Sequence, residues 1–128
     1  MIIIEICIDV PDLAQGVRFY AEAFGFSKVA EPYAGVAYME EGASKITLLE
    51  KREQSKPSPT AKDVRRYDRH WTPVHLDFHV DDLLVALDKA VRAGAVKEQV
   101  FENPAHGSIA FCADPFGNGF CLLQNKAD

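Results

Sequence analysis

The chain has few cysteines and no excess of basic residues, and both features exclude common classes of protein. It has only three cysteines in 128 residues, and an odd, low count argues against a disulfide-stapled secreted domain, so we expect reduced thiols. Lysine and arginine number 14 against 19 acidic residues, which gives a net charge of −5. Because there is no basic surplus to neutralise phosphates, the composition excludes nucleic acid as the main partner.

Long hydrophobic runs are also absent. The opening MIIIEICIDV is apolar, but Glu5 and Asp9 interrupt it, and no basic segment precedes it as in a secretory leader. We therefore expect a soluble, cytoplasmic protein with no membrane partner. With 48% hydrophobic and 26% charged residues, a chain of this length can bury a core as one ordinary domain.

One phrase occurs twice, as IEICIDVPDL near the start of the chain and as VHLDFHVDDL in its middle. In both copies apolar and polar residues alternate, which predicts strands over 4–10 and 74–80 with one apolar face each. Glu5 and His75 occupy equivalent places in the two copies. Two side chains of ligand type therefore stand at matching points of a repeat.

A helix signal follows each predicted strand. Asp12 and Asp82 stand where an N-cap is expected, and Gly25 and Gly94 stand just past the last apolar residue. The apolar residues between them recur about every 3.6 positions, as in an amphipathic helix that packs on a sheet.

The rest of each copy also repeats, since GVAYMEEGASKITLLE (35–50) matches SIAFCADPFGNGFCLLQ (108–124). Both stretches predict a strand, a glycine-containing turn and a second strand. The whole chain is therefore interpreted as a single domain made of two repeated modules, about 1–50 and 74–128. The polar, proline-containing stretch 51–73 joins them as a linker or long loop.

With the duplication established, HLDFHVDDL and DPFGNGFCLL make the chain resemble the vicinal oxygen chelate superfamily. That superfamily contains glyoxalase I, the bleomycin- and fosfomycin-resistance proteins, extradiol dioxygenases and methylmalonyl-CoA epimerase. The resemblance covers nearly the whole chain except 51–73. It implies an α+β fold in which two βαβββ modules form a curved sheet, or cup, and it implies a homodimer.

The resemblance also implies a metal site, because metal-dependent members place four ligands in the cup, usually His or Gln, Glu, His and Glu. The matching positions here are Glu5, Thr47, His75 and Cys121, and only His75 keeps the family residue. Glu5, His75 and Cys121 remain as a candidate ligand set for zinc, nickel, iron or manganese. The alternative is a site that holds no metal.

Without a metal, Glu5 and His75 are candidates for a catalytic acid–base pair, because a neighbouring carboxylate favours the charged form of histidine. A cup-lining histidine with only a structural hydrogen bond is the other interpretation. The predicted ligand-binding residues are Cys7, Thr47, Asp77, Cys121 and Trp71, the only tryptophan.

The functional prediction is a glyoxalase-like protein that binds a small molecule, as a lyase or isomerase on a small carbonyl compound. The missing carboxylate ligands argue against glutathione-dependent glyoxalase I activity itself. The alternative is a metal-independent sequestration protein resembling the bleomycin-resistance proteins, for which the negative charge would suit a cationic ligand. A sensing or accessory domain without turnover is a third interpretation.

Overall fold

The computed structural model describes residues 1–126, and the chain divides into two compact units between Tyr67 and Asp68. The first unit contains β1 (Cys7–Val10), α1 (Leu13–Phe24), β2 (Ser27–Tyr33), β3 (Val36–Glu41) and β4 (Ser44–Glu50). The second contains β5 (Leu76–His79), α2 (Leu83–Ala93), β6 (Val96–Phe101), β7 (Ser108–Ala113) and β8 (Gly119–Gln124).

Each unit has one four-stranded sheet, and the strand order is the same in both. The orders are β1-β4-β3-β2 and β5-β8-β7-β6. The first strand of each unit pairs in parallel with the last, and the other neighbours are antiparallel. This confirms the predicted α+β fold of two βαβββ modules. The joining of the modules into a cup, the homodimer and the cytoplasmic location stay predictions.

The helices begin and end where the sequence places them. The Asp12 carboxylate accepts a hydrogen bond from the Gln15 amide at 2.9 Å, and the Asp82 carboxylate accepts one from Val85 at 3.1 Å. Such N-caps each stabilise a helix by about 1 kcal/mol. Gly25 follows α1 with a left-handed backbone (φ 81°), which glycine adopts without strain.

The core of each unit lies where the helix covers its own sheet. Leu48 on β4 and Leu122 on β8 are equivalent residues, and both are fully buried. The helices add apolar side chains above them, including Leu13, Phe19 and Tyr20 in the first unit and Leu83 and Leu87 in the second. None of the helices within residues 1–126 is long and apolar enough to cross a membrane.

The first strand of each unit is shorter than predicted. Strand β1 begins at Cys7 rather than at residue 4, and Ile4 is 85% exposed. Strand β5 runs from Leu76 to His79, whereas the prediction was 74–80, and Val74 is also exposed. The alternation of apolar residues continues beyond the paired backbone, so the pattern alone gives strands that are too long.

The polar stretch 51–73 has no helix or strand, as expected of a loop, but its side chains are held in each unit. In the first unit, Arg65 Nε donates to the Asp9 carboxylate at 2.7 Å. The Tyr67 hydroxyl donates to the Lys51 carbonyl at 2.5 Å. In the second unit, His70 forms a bridge with Asn118.

Candidate functional site

The parallel strand pairs bring the predicted site residues together within each unit. In the register of β1 and β4, Cys7 lies opposite Thr47. In the register of β5 and β8, Asp77 lies opposite Cys121. Glu5 and His75 each stand two residues before the first member of their pair. The duplication therefore presents the same three backbone positions twice, with different side chains.

In the first unit these positions are occupied by Glu5 and Thr47, which form a hydrogen bond with each other, and by the Cys7 thiol. The Thr47 hydroxyl donates to Glu5 Oε1 at 2.7 Å. Cys7 is an exposed residue, but its sulfur is partly shielded from water. This desolvation, followed by the charge of Glu5, raises the pKa of the Cys7 thiol. Cys7 is therefore a protonated thiol at neutral pH, and nothing in this arrangement activates it as a nucleophile.

In the second unit the equivalent residues are His75, Asp77 and Cys121, here called the polar corner. His75 Nδ1 lies 3.1 Å from Asp77 Oδ1. The pKa of the Cys121 thiol is raised by burial and then by the charge of Asp77, with which it shares a hydrogen bond. The three candidate ligand atoms all lie within 4.8 Å of one another.

The polar corner opens on a cavity of about 330 Å³ in the second unit. Apolar side chains line much of it: Trp71, Ile109, Phe111 and Phe120. Cys112, which also lines the cavity, is buried, and burial raises the pKa of its thiol to about 11. Trp71 is 82% exposed, so its indole is accessible to a ligand entering from solvent.

A segment before β5, residues 68–72, is held on one side of this cavity by the turn between β7 and β8. The His70 amide donates to the Gly117 carbonyl at 3.1 Å, and His70 Nε2 lies 2.8 Å from Asn118 Oδ1. Asp114 in turn fixes Asn118 through its carboxylate. The DPFGN turn therefore also positions a wall of the candidate site.

Arg69 and Glu98 form the charged side of the cavity, and no sequence motif indicates either of them. Arg69 Nε donates to Glu98 Oε2 at 2.7 Å, and a second guanidinium nitrogen lies 3.2 Å from Glu98 Oε1. The guanidinium packs against Gly119, where a side chain would collide with it. The hydrogen bond from Arg69 lowers the pKa of the Glu98 carboxyl.

The Arg69–Glu98 pair predicts how the free energy of unfolding depends on pH. Because the folded pKa of Glu98 lies below its ordinary value of 4.5, the stabilisation is present above that pH. It is lost as pH falls through the lowered pKa. We expect Glu98→Gln to reduce the free energy of unfolding in urea more at about pH 7 than at about pH 3.

Asp63→Asn is the matched control for this measurement. The pKa of Asp63 is also lowered, first by the Val64 amide and then by Arg66, but the Asp63 side chain is 71% exposed. Exposed pairs contribute little, so its variant should change stability less than Glu98→Gln. An equal loss from Glu98→Gln at both pH values would contradict the assignment of the ionised pair.

The four family positions do not reproduce the donor set of the metal-dependent members. Thr47 and Cys121 stand in place of the two carboxylates, and the Thr47 hydroxyl already donates to Glu5. The structure gives Glu5 the partner Thr47 and gives His75 the partner Asp77. The Glu5–His75 pair and the Glu5–His75–Cys121 ligand set stay predictions.

Comparison with known proteins identifies the family. A family model described as "Glyoxalase-like domain" matches residues 5–123. The chain belongs to this glyoxalase-like family, which lies within the vicinal oxygen chelate superfamily. No curated protein sequence matches the chain.

Solved structures show the same fold at low sequence identity. A glyoxalase/bleomycin resistance protein/dioxygenase family enzyme from Burkholderia phytofirmans PsJN superposes with a TM-score of 0.70, at 20% identity over 94% of this chain and 96% of that one. The fosfomycin resistance protein FosX from Mesorhizobium loti gives 0.70, at 15% identity over 98% and 95%. The lactoylglutathione lyase from Agrobacterium tumefaciens gives 0.65, at 18% over 96% and 92%.

Proposed function

We propose that this glyoxalase-like protein binds a small carbonyl compound in its second unit and acts on it as a lyase or isomerase. The observation that carries the proposal is the polar corner, His75, Asp77 and Cys121, at the wall of a cavity lined by aromatic side chains. Ligand sites typically combine apolar walls with a few converging polar groups.

The size and lining of the cavity favour a small ligand. A volume of about 330 Å³ lies at the lower end of the range for ligand pockets, about 300–1,000 Å³. Trp71 and Phe111 offer flat apolar surfaces to a short carbon skeleton. The polar corner then receives the carbonyl oxygen, which fixes the orientation of the ligand.

Lyase and isomerase reactions on such compounds move a proton from the carbon next to the carbonyl and stabilise the negative charge that develops on oxygen. His75 is held against Asp77 and lines the cavity, so its imidazole is the proposed group that accepts this proton and returns it. Glu5 is the second proposed catalytic residue.

The test is proton exchange followed by NMR in D₂O. The probes are hydroxyacetone, dihydroxyacetone, glycolaldehyde and the hemithioacetal of methylglyoxal and glutathione. We expect the protein to accelerate loss of the α-proton signal of at least one probe. His75→Ala should slow this exchange by about 100-fold or more, the usual effect of removing a general acid or base. His79→Ala, a change at the end of the same strand, is the matched control.

Binding is followed separately through Trp71, since it is the only tryptophan of the chain. Glu5→Gln decides the role of Glu5: slower exchange places it in the reaction, and unchanged exchange removes it. The proposal is wrong if no probe undergoes protein-dependent exchange and none quenches Trp71 fluorescence.

A second function, sequestration without turnover, is favoured by a different feature of the same cavity. Asp77 adds a carboxylate to the cavity that Trp71 also lines, whereas the Glu98 carboxylate is paired with Arg69, and an anion with an aromatic ring suits a planar aromatic cation. Ethidium at 100 times its Kd would stabilise the fold by about 2.7 kcal/mol and raise the melting temperature. A shift that Trp71→Ala abolishes, together with no proton exchange on any carbonyl probe, would favour this function over the first.

A further inference from the structure

We infer that the ligand of the cavity in the second unit is a short 2-oxo acid, and that its carboxylate binds the guanidinium of Arg69. This inference rests on the proposed function, since it names the substrate class of the same site. It adds a charged group to the small carbonyl compound of that proposal and assigns the residue that binds this group. The carbonyl oxygen stays at the polar corner.

Arg69 has unused hydrogen-bond donors. A guanidinium carries five N–H groups. In Arg69, Nε and Nη2 donate to the Glu98 carboxylate at 2.7 and 3.2 Å, and Nη1 donates to the His70 carbonyl. Since these are the acceptors that it contacts within residues 1–126, one N–H remains on each terminal nitrogen. Donors on both terminal nitrogens match the two oxygens of a carboxylate.

Gly119 leaves space beside this end of the guanidinium. A Cβ atom at residue 119 would lie 2.7 Å from Nη2 and 3.0 Å from Nη1 of Arg69. Both residues line the cavity, and the Arg69 side chain is 44% exposed. A ligand in the cavity can therefore approach the two free N–H groups.

The charges around the cavity favour one added carboxylate at Arg69. In the described part of the chain, Arg69 is the one lining residue with a permanent positive charge. The two acidic residues of the lining already have partners, since Glu98 pairs with this guanidinium and Asp77 lies 3.1 Å from His75 Nδ1. An arginine can bridge two carboxylates, whereas a doubly charged phosphate would be repelled more strongly by both acidic residues.

The spacing along β8 fits a carbonyl and a carboxylate that are close together. Gly119 and Cys121 are two residues apart on this strand, so they face the same side of the sheet at about 7 Å from each other. Arg69 lies against the first, and the second belongs to the polar corner. With a hydrogen bond of about 2.9 Å at each end, this interval suits the two groups on adjacent carbon atoms. A short 2-oxo acid has this arrangement and is small enough for a cavity of about 330 Å³.

The experiment compares two probes that differ in the charge of one end group: pyruvate, a carboxylate, and pyruvamide, its neutral amide. Isothermal titration calorimetry of the full chain at low salt measures both Kd values. We expect pyruvate to bind about 10-fold tighter than pyruvamide, the effect of hydrogen bonds to a charged group. This preference should decrease as salt is added, because the contact is partly exposed to solvent.

Arg69→Gln and Glu98→Gln should change pyruvate binding in opposite directions. Arg69→Gln removes the charged donors, so we expect pyruvate to bind about 10-fold more weakly and pyruvamide to bind as before. Glu98→Gln removes a like charge beside the ligand, which is equivalent to about 5-fold at 4 Å in water, so pyruvate should bind tighter by about that factor. A pair that only held the cavity wall would give weaker binding of both probes in both variants.

Arg66→Gln is the matched control. Arg66 also donates to a carboxylate, that of Asp63 at 2.8 Å, but it does not line the cavity, so both Kd values should stay unchanged. Arg69→Lys keeps the charge and loses the planar fork, and it should retain only part of the preference for pyruvate. Circular dichroism verifies the fold of each variant. If Arg69→Gln does not fold, Glu98→Gln and the salt dependence still test the contact.

Four results would overturn the inference: no binding of pyruvate to the unchanged protein, equal affinity for pyruvate and pyruvamide, weaker pyruvate binding in both variants of the pair, or tighter binding of inorganic phosphate than of pyruvate. Any of these together with α-proton exchange on a neutral probe would leave the proposed function standing and reject the substrate class. Charge-dependent binding of pyruvate through Arg69 without exchange on any probe, pyruvate included, would retain the carboxylate site and reject the proposed turnover. The two failures are therefore distinguishable.

Discussion

Replacing Asp114 with alanine is expected to lower the free energy of unfolding by about 3–5 kcal/mol. Asp114 is 2% exposed, and its Oδ1 accepts from the amides of Phe116 and Asn118, each at 2.9 Å. Its Oδ2 accepts from the Asn118 side chain at 2.9 Å. Hydrogen bonds to a charged group contribute about 1.5–3 kcal/mol each, and the part-buried donors regain only some of this from water.

Asp114→Asn is the matched control, because one amide oxygen can still accept from both backbone amides. Only the contact with the Asn118 side chain is replaced by two opposed NH₂ groups, so we expect about half the loss. Urea unfolding measures both variants. Equal losses would show that charge, rather than the number of accepted hydrogen bonds, is what the turn requires.

The second large effect is expected from Gly117→Ala, through steric overlap rather than a lost acceptor. Gly117 has φ 90°, and a Cβ atom there would lie 1.9 Å from the Asp68 carbonyl oxygen. The left-handed backbone costs an alanine about 1–2 kcal/mol, and the overlap forces residues 68–70 away from the turn. We expect a total loss of about 3 kcal/mol or more, together with weaker ligand quenching of Trp71.

Gly42→Ala isolates the backbone part of this effect. Gly42 also has positive φ (55°), but no atom lies within 4 Å of where its Cβ would be. Its loss should therefore stay at about 1–2 kcal/mol, with no change at the cavity of the second unit. If both variants lose the same stability in urea, the contact between Gly117 and Asp68 does not hold the segment.

The fold could be predicted from the sequence because the helix caps and the strand–turn–strand patterns occur at the same places in both copies of the repeat. Asp12 and Asp82 cap the helices as predicted, and the two strand–turn–strand stretches form β3–β4 and β7–β8. These features depend on residues close together in the chain, where spacing carries the information.

The candidate site was only partly predictable, because its contacts join residues distant in sequence. Arg69 and Glu98 are separated by 29 positions, and neither falls in a repeated motif. The sequence predicts Asp77 as a ligand-binding residue, but its place opposite Cys121 follows from the parallel register, which alternation alone does not fix. The repeat aligns Asp77 with Cys7. This alignment is the feature of the sequence that indicates Asp77 as a member of the polar corner.

The matching registers of β1–β4 and β5–β8 give this chain a built-in control. Any property that arises from the shared backbone, such as strand pairing or helix packing, should be found in both halves of the polypeptide. A property that arises from the side chains at the three equivalent positions should be found in one half only. The effect of the side chains at these three positions can therefore be compared within one molecule and under identical conditions.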